Sequence, residues 1–359
     1  MDLFEFVSAS EYEKSMLRHY RSAVNFINNK SGIFAIVCNP KGAFFRNTIQ
    51  KMIGIKHRGE IVCQCVLIKH KHFDALMLAF FEAAENTGAA VSAMMEYAER
   101  FGRNVGAKRI IAAIDGHCNY SVGFSLGEPS SVPVFGESRN PSYYHSFFRE
   151  GCKRVGFSCF SGDFERIYRD THTASRRVCQ KERGIALRTA DFRKFDDEMA
   201  AYTQLNNQIF SGHWYYYLRE HDEDLELFRA TKPLLSPHNI IFAHKDGKDI
   251  GFILFYPDYN ELVPIGGKAN IATVLRHKLL RYPIHTIKVV EIAVLPEYQA
   301  TGVIFLLFAE ACKQIKTNYP RTKRIVSSWI MDDNHASQSV TKRFAPEIYG
   351  RYAAYEKEI

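Results

Sequence analysis

A carboxylate stands inside one of the most apolar runs of the chain. Glu291 lies within Val289–Leu295, and strand alternation puts it on one face with Ala293 and Leu295, while Ile292 and Val294 point to the other. A carboxylate in that setting is either paired or raised in pKa by loss of water, and a raised carboxylate suits a general base that takes a proton from an ammonium group. An ion pair with Lys288 or with an arginine of the preceding insertion is the alternative. Directly after the run come Pro296, Gln299 and Gly302, and apolar residues then recur at helical spacing through Ile315. This predicts strand, short loop, helix. The turn Gln299, Ala300, Thr301, Gly302, Val303 can aim several backbone N–H groups at one point, and the helix adds the positive end of its dipole. Such a turn holds a pyrophosphate without any lysine, and the bare backbone of Gly302 lets it approach.

The elements that must position these residues read as an alternation of strands and helices, which predicts a mixed α/β sheet. In the first half, strands are expected at Leu3–Val7, Glu60–His70, Arg109–Ile114 and Phe164–Tyr168. Helices are expected after Ser8 or Ser10, over Thr87–Phe101 with Ala90, Met94, Met95 and Ala98 on one stripe, and from Asn140-Pro141 through Arg154. The Gly, Pro and Ser density from Gly123 to Pro141 predicts a long loop. The polar stretch 171–182 reads as a linker between a domain over 1–170 and a second over 183–359. The second half then offers strands at Ile185–Thr189, Ile240–His244, Ile250–Tyr256, Ile287–Leu295 and Arg324–Ile330. Helices fall at Phe195–Phe210, Glu223–Thr231 and Ala336–Phe344, and a final strand pair over Ile348–Lys357.

Composition narrows the function classes. Of 359 residues, 46% are apolar and 24% charged, as in an ordinary globular protein. No apolar run approaches the roughly 20 residues needed to span a bilayer, and no leader opens the chain, so a cytoplasmic protein with no membrane partner is expected. Eight cysteines are scattered without a C-x-x-C pair, and His70 and His72 have no third ligand nearby in sequence, so no metal is assigned. The net charge of +8 is uneven, with +6 on residues 1–180, which favours an anionic partner for the first half.

The pattern Val294-x-Pro296-x-x-Gln299-x-x-Gly302 resembles the acyl-CoA-binding signature Q/R-x-x-G-x-G/A of the GNAT-type acyltransferases, with Ile304 standing where that family has Gly or Ala. Segments such as IDGHCNYSVGF, RNPSYYHSFFREGCKRVGF and SSWIMDDNHASQSV are similar to those of a little-characterised group of bacterial tandem GNAT-like proteins. The resemblance implies two fused GNAT-like domains. The first is degenerate, because nothing in it matches the signature. It also implies an acyl-CoA co-substrate bound by Ile292, Ala293, Val294 and the 299–303 turn, with a backbone N–H of Ile292–Val294 holding the oxyanion. Glu291 would be the base, and Asn334 would touch the pantetheine arm, although capping of the next helix explains it equally. Among Tyr349, Tyr352 and Tyr355, Tyr355 best matches the family's general acid. Trp214, Tyr216, Asp258 and Asn260 are candidates for the pocket of a small-molecule amine acceptor. An acyl carrier protein or aminoacyl-tRNA as donor, and a non-catalytic binding module, remain the alternatives.

Overall fold

The computed structural model describes residues 1–20, 27–127, 132–137, 139–181 and 184–359; parts of the expected 123–141 loop and the end of the expected linker lie outside them. The chain divides into two compact units, one of Met1–Phe157, Val263–Ala269 and Gly350–Ile359, the other of Ser158–Leu262 and Asn270–Tyr349.

The first unit opens with strand β1 (Asp2–Glu5), helices α1 (Ala9–Tyr20), α2 (Lys30–Val37) and α3 (Ala43–Arg46), then strands β2 (Thr48–His57), β3 (Glu60–His70) and β4 (Ala75–Ala83). Helix α4 (Gly88–Asn104), strands β5 (Arg109–Ala112) and β6 (Phe124–Ser125), the short helix α5 (Tyr144–Phe147) and strand β7 (Lys153–Asp163) follow. Every residue of β4 is buried, as expected of a strand covered on both faces. One cover is α4, whose Ala90, Val91, Met94 and Ala98 recur at helical spacing against the apolar side chains of β3 and β4.

The second unit runs through helix α6 (Phe164–Lys181), strand β8 (Ala186–Thr189), helices α7 (Phe195–Phe210) and α8 (His221–Thr231), and strands β9 (Ile240–Lys245) and β10 (Lys248–Pro257). After the short helix α9 (Ile271–Val274) come strand β11 (Thr286–Val294), helix α10 (Val303–Asn318), strands β12 (Arg324–Ser327) and β13 (Ile330–Met331), helix α11 (His335–Phe344) and the first residues of strand β14 (Glu347–Glu358), which from Gly350 onward belongs to the first unit. Strand order here is β12-β11-β10-β9-β8, with β11 and β12 parallel and the others antiparallel. Helices α6 and α10 cover one face of β11 through Val303, Leu307, Ala311 and Ile315. The other face meets α7 and α8 through Met199, Tyr202, Leu205 and Phe228.

Three expectations need correction. Phe164–Tyr168 is the first turn of α6 and not a strand, and α6 continues to Lys181 through most of the expected linker. Its buried positions Phe164, Ile167, Thr171 and Ser175 keep a helical period, which polar residues disguised in the sequence. The helix expected from Pro141 through Arg154 is a single turn at Tyr144–Phe147. Gly151, at φ 75°, turns the chain into β7. The final strand pair is one twelve-residue strand, β14, and within the first unit its Tyr355–Glu358 pair with Arg109–Ala112 of β5.

Close approach of β10 to β11 requires a glycine. A Cβ on Gly251 would lie 2.7 Å from the Ala293 carbonyl oxygen and 3.1 Å from the Val294 Cα, both backbone atoms that cannot rotate away. Gly251→Ala is therefore expected to cost about 1–3 kcal/mol. A fall in melting temperature of several degrees by calorimetry is the predicted result, and an unchanged value would contradict this packing.

Candidate active site

Strand β11 has two different edges. Along β10 it is paired throughout, from Ile287 to Val294, with a bulge at Val290 between the pairs Leu254/Glu291 and Phe255/Val289. Along β12 the parallel ladder covers only Thr286–Val289 and ends with the Ser328 N–H donating to the Val289 carbonyl. From Val290 onward that edge has no ladder partner among the described residues. Leu295 donates its N–H to the Ile250 carbonyl, and the Ala293 carbonyl lies against Gly251. Residues 293 and 295 thus turn their backbone groups toward β10, and alternation turns those of Ile292 and Val294 onto the free edge. The bulge sits one residue before Glu291, so the carboxylate and the free backbone groups belong to the same few residues.

On the face toward α7 and α8, Glu291 enters a buried polar cluster. Tyr202 of α7 donates its hydroxyl to Oε2 of Glu291 at 2.5 Å, and the Asn206 side chain, one turn on, adds a donor on the same side. Arg219, in the α7–α8 connection, is 4% exposed and bonds Asp224 through Nη1–Oδ1 at 2.6 Å; Thr203 donates to the other oxygen of Asp224. The Arg219 guanidinium lies over the rings of Tyr202 and Tyr216, 5.6 and 5.8 Å from their centroids. Burial raises the Glu291 pKa above the ordinary carboxylate value, and the Arg219 charge and the Tyr202 hydrogen bond only partly oppose it. Burial, with the Glu291 charge second, also raises Tyr202 well above an ordinary phenol, so Tyr202 remains a donor. Around Glu291 stand the Tyr202 phenol and, at longer range, the Arg219 guanidinium, itself bonded to Asp224.

Past β11, Pro296–Thr301 form a 3₁₀ turn and Gly302, at φ 87°, opens α10. Glycine is needed here for its backbone conformation and because a Cβ would lie 2.8 Å from Cγ2 of Val178 on α6. Its role is thus geometric before any phosphate is considered. The Gln299 side chain reaches back to the Val294 carbonyl at 3.5 Å, tying the turn to the free edge. Ile304 packs, partly buried, against the α6/α10 apolar cluster, which directs much of its side chain inward.

The other expected residues separate. Tyr216 is buried beside Arg219, with its hydroxyl donated to Asn207 Oδ1 at 2.7 Å, so it belongs with Glu291. Trp214, 49% exposed, lies on the same α7–α8 connection. Asp258 and Asn260 are buried next to Thr286, where β11 begins, at the opposite end of the strand from the Gln299 turn. Asn334 caps α11 by accepting from the Ser337 N–H at 3.1 Å. Tyr355 is in the first unit, where its hydroxyl meets His145 Nδ1 at 2.8 Å. Of the three tyrosines, Tyr349 is the one in the second unit, with its hydroxyl donated to the Ser327 carbonyl where β12 leaves β11. Sequence reading missed Tyr202, Asn206, Arg219 and Asp224. The signal for the first two was a pair of polar groups four apart on the otherwise apolar stripe of α7.

The first unit repeats the arrangement and fills it. Its β4 pairs with β5 over Ala75–Leu78 only, and beyond that the edge is free of ladder bonds. Asp115 accepts from the Phe80 N–H at 2.6 Å, and the Tyr12 hydroxyl donates to the Phe80 carbonyl at 2.7 Å. The Tyr144 hydroxyl sits at the Ala83 N–H and on Glu82, whose other oxygen bonds Lys30. Four residues, 84–87, join β4 to α4 in place of a phosphate-sized turn.

A raised native pKa has a stability consequence. The folded state favours protonated Glu291, so this residue's contribution is complete below the unfolded glutamate pKa of about 4.3 and is lost as pH rises through the native value. Glu291→Gln, which keeps an acceptor for Tyr202, is expected to melt above the unaltered protein at pH 8, with the difference shrinking toward pH 4. Calorimetry across that range checks the sign; a variant that melts lower at pH 8 would contradict it.

Residues 196–345 match the model of the acetyltransferase (GNAT) family, a span that begins in α7 and ends after α11. A bacterial ceramide synthase of Caulobacter vibrioides is 21% identical over 293 residues, 77% of this chain and 74% of that protein. Protein YghO of Escherichia coli is 26% identical over 193 residues, 50% of this chain and 47% of its own. Among solved structures, a tandem GNAT protein from the clavulanic acid biosynthesis pathway aligns over 99% of this chain and 98% of its own, with a TM-score of 0.58 at 12% identity. Residues 196–345 thus match the acetyltransferase (GNAT) family, and the fold is that of tandem GNAT proteins.

Proposed function

We propose that the second unit transfers an acyl group from an acyl-CoA to the amine of a small molecule, with Glu291 as the base. The observation that carries this reading is the conjunction on β11 of a backbone edge without ladder partners and a desolvated carboxylate hydrogen-bonded to Tyr202. Glu291 takes the proton of the acceptor ammonium, directly or through one water, and the freed amine attacks the thioester carbonyl. The N–H of Ile292 or Val294 on the free edge stabilises the oxyanion. The C–N bond forms, the C–S bond breaks, Tyr349 gives its proton to the thiolate, and the second proton lost by the amide nitrogen restores the phenol through solvent. The 296–302 turn and the start of α10 hold the pyrophosphate, by backbone N–H groups and helix dipole. The buried Arg219 donors Nε and Nη2 and the Asn206 Oδ1, which have no hydrogen-bond partner among the described residues, give the acceptor side a polar character. Similarity to a ceramide synthase, by its name an amide-forming enzyme, supports an amine acceptor.

Glu291→Gln is expected to lower kcat/KM by roughly 10²-fold or more while leaving acyl-CoA affinity nearly unchanged. Steady-state kinetics and calorimetric titration measure the two quantities, and a variant with full activity between pH 6 and 9 would remove Glu291 from the reaction. Because Tyr12, Asp115 and Tyr144 already occupy the first unit's free edge, titration should give one acyl-CoA site per chain. Two equivalent sites would show that the first unit binds as well.

A further inference from the structure

The second unit contains a short segment built the wrong way round for water. Residues 270–282 read NIATVLRHKLLRY and contain no Asp or Glu. Asn270 caps α9, whose Ile271–Val274 lead into a wider π-type turn over Leu275–Leu279. The polar residues of this stretch face the protein. Arg276 donates to the Leu262 carbonyl at 2.6 Å, and Lys278 donates to the Leu235 carbonyl and to Ser236 at 2.9 and 2.6 Å. The His277 ring packs on Tyr259 and Tyr319. The apolar residues face out: Ile271 is 72% exposed, Leu279 71% and Leu280 56%, with Leu275 and Tyr282 about half exposed. A helix that faces water shows the reverse pattern, and single exposed leucines are common where five large apolar side chains within twelve residues are not.

The surroundings say what covers this patch. Arg281 is exposed on the segment itself, and Arg321 and Lys323 are exposed beside it, held there by bonds from His285 Nδ1 to the Arg321 carbonyl and from the Lys323 N–H to the His285 carbonyl. The acid at this edge, Glu261, accepts from the His285 N–H. A second copy docked symmetrically on the patch would bring these cations together. An anionic bilayer surface satisfies both features, taking the leucines and Tyr282 at the headgroup boundary and the cations at the lipid phosphates. No helix among the described residues is long and apolar enough to cross a membrane, so the contact is with the surface. We propose that residues 270–282 form a docking surface by which the protein attaches to anionic lipid membranes, in place of the expected absence of a membrane partner.

Sedimentation with vesicles tests this on the full chain. The protein should sediment with vesicles of phosphatidylglycerol and phosphatidylcholine in equal parts, less so with phosphatidylcholine alone, and less at high salt. The double variant Leu279→Glu, Leu280→Glu should lower the bound fraction by roughly tenfold or more. Its melting temperature should stay unchanged, because both side chains lie outside the core. Arg281→Glu should weaken binding to the mixed vesicles with both leucines intact. No sedimentation with mixed vesicles at low salt would overturn the proposal, as would equal binding by the leucine variant. A solution dimer that the leucine variant converts to monomer in analytical ultracentrifugation would assign the patch to self-association instead.

Discussion

The separation of β11 from β12 after Val289 is the constraint on which the site depends. Four parallel pairs fix the start of β11, and then the two strands have no further ladder bonds. Backbone N–H and C=O groups at the centre of a sheet are ordinarily all paired, so an edge left open inside a covered sheet is costly unless something else satisfies it. In the first unit, Asp115, Tyr12 and Tyr144 do so. In the second, the side chain of Gln299 reaches that edge only at the Val294 carbonyl. The same topological feature is closed by side chains in the first unit, and in the second it is where the proposed acyl donor would pair.

The bulge at Val290 couples this edge to the acid. By inserting one residue, it lets Glu291 face α7 while Ile292 and Val294 keep their backbone groups outward. The acid then lies among Tyr202, Asn206, Arg219 and Asp224, all nearly or fully buried. Committing Arg219 to Asp224 matters for the chemistry. A free guanidinium beside Glu291 would hold it ionised and weakly basic, whereas the neutralised pair leaves desolvation dominant and the carboxylate raised. A raised, desolvated carboxylate costs stability as pH rises, and in the proposed reaction it would supply the base.

Much of this was legible in the sequence, and the exceptions have physical causes. The run Val289–Leu295, the glycine three residues after Gln299 and the apolar period through Ile315 identified β11, the turn and α10, since each depends on local pattern alone. In the first half no stretch matches the signature, and only residues 84–87 join β4 to α4. Helix α6 was missed because Thr171 and Ser175 stand where its buried stripe would otherwise show apolar residues. That the last ten residues, Tyr355 among them, cluster with the first unit is not visible from position along the chain. Arg219 and Asp224 stand in the charged stretch Arg219–Asp224, and only tertiary packing reveals that both are inside.

Amide hydrogen exchange with and without acyl-CoA tests the central claim most directly, because it reads the backbone groups themselves. If the free edge of β11 and the following turn hold the acyl donor, the Ile292 and Val294 amides and those of 299–303 should exchange quickly in the free protein and slow markedly when acyl-CoA is added, with β4 of the first unit unaffected. Protection that appears elsewhere in the chain while 292–303 remains unchanged would contradict the account.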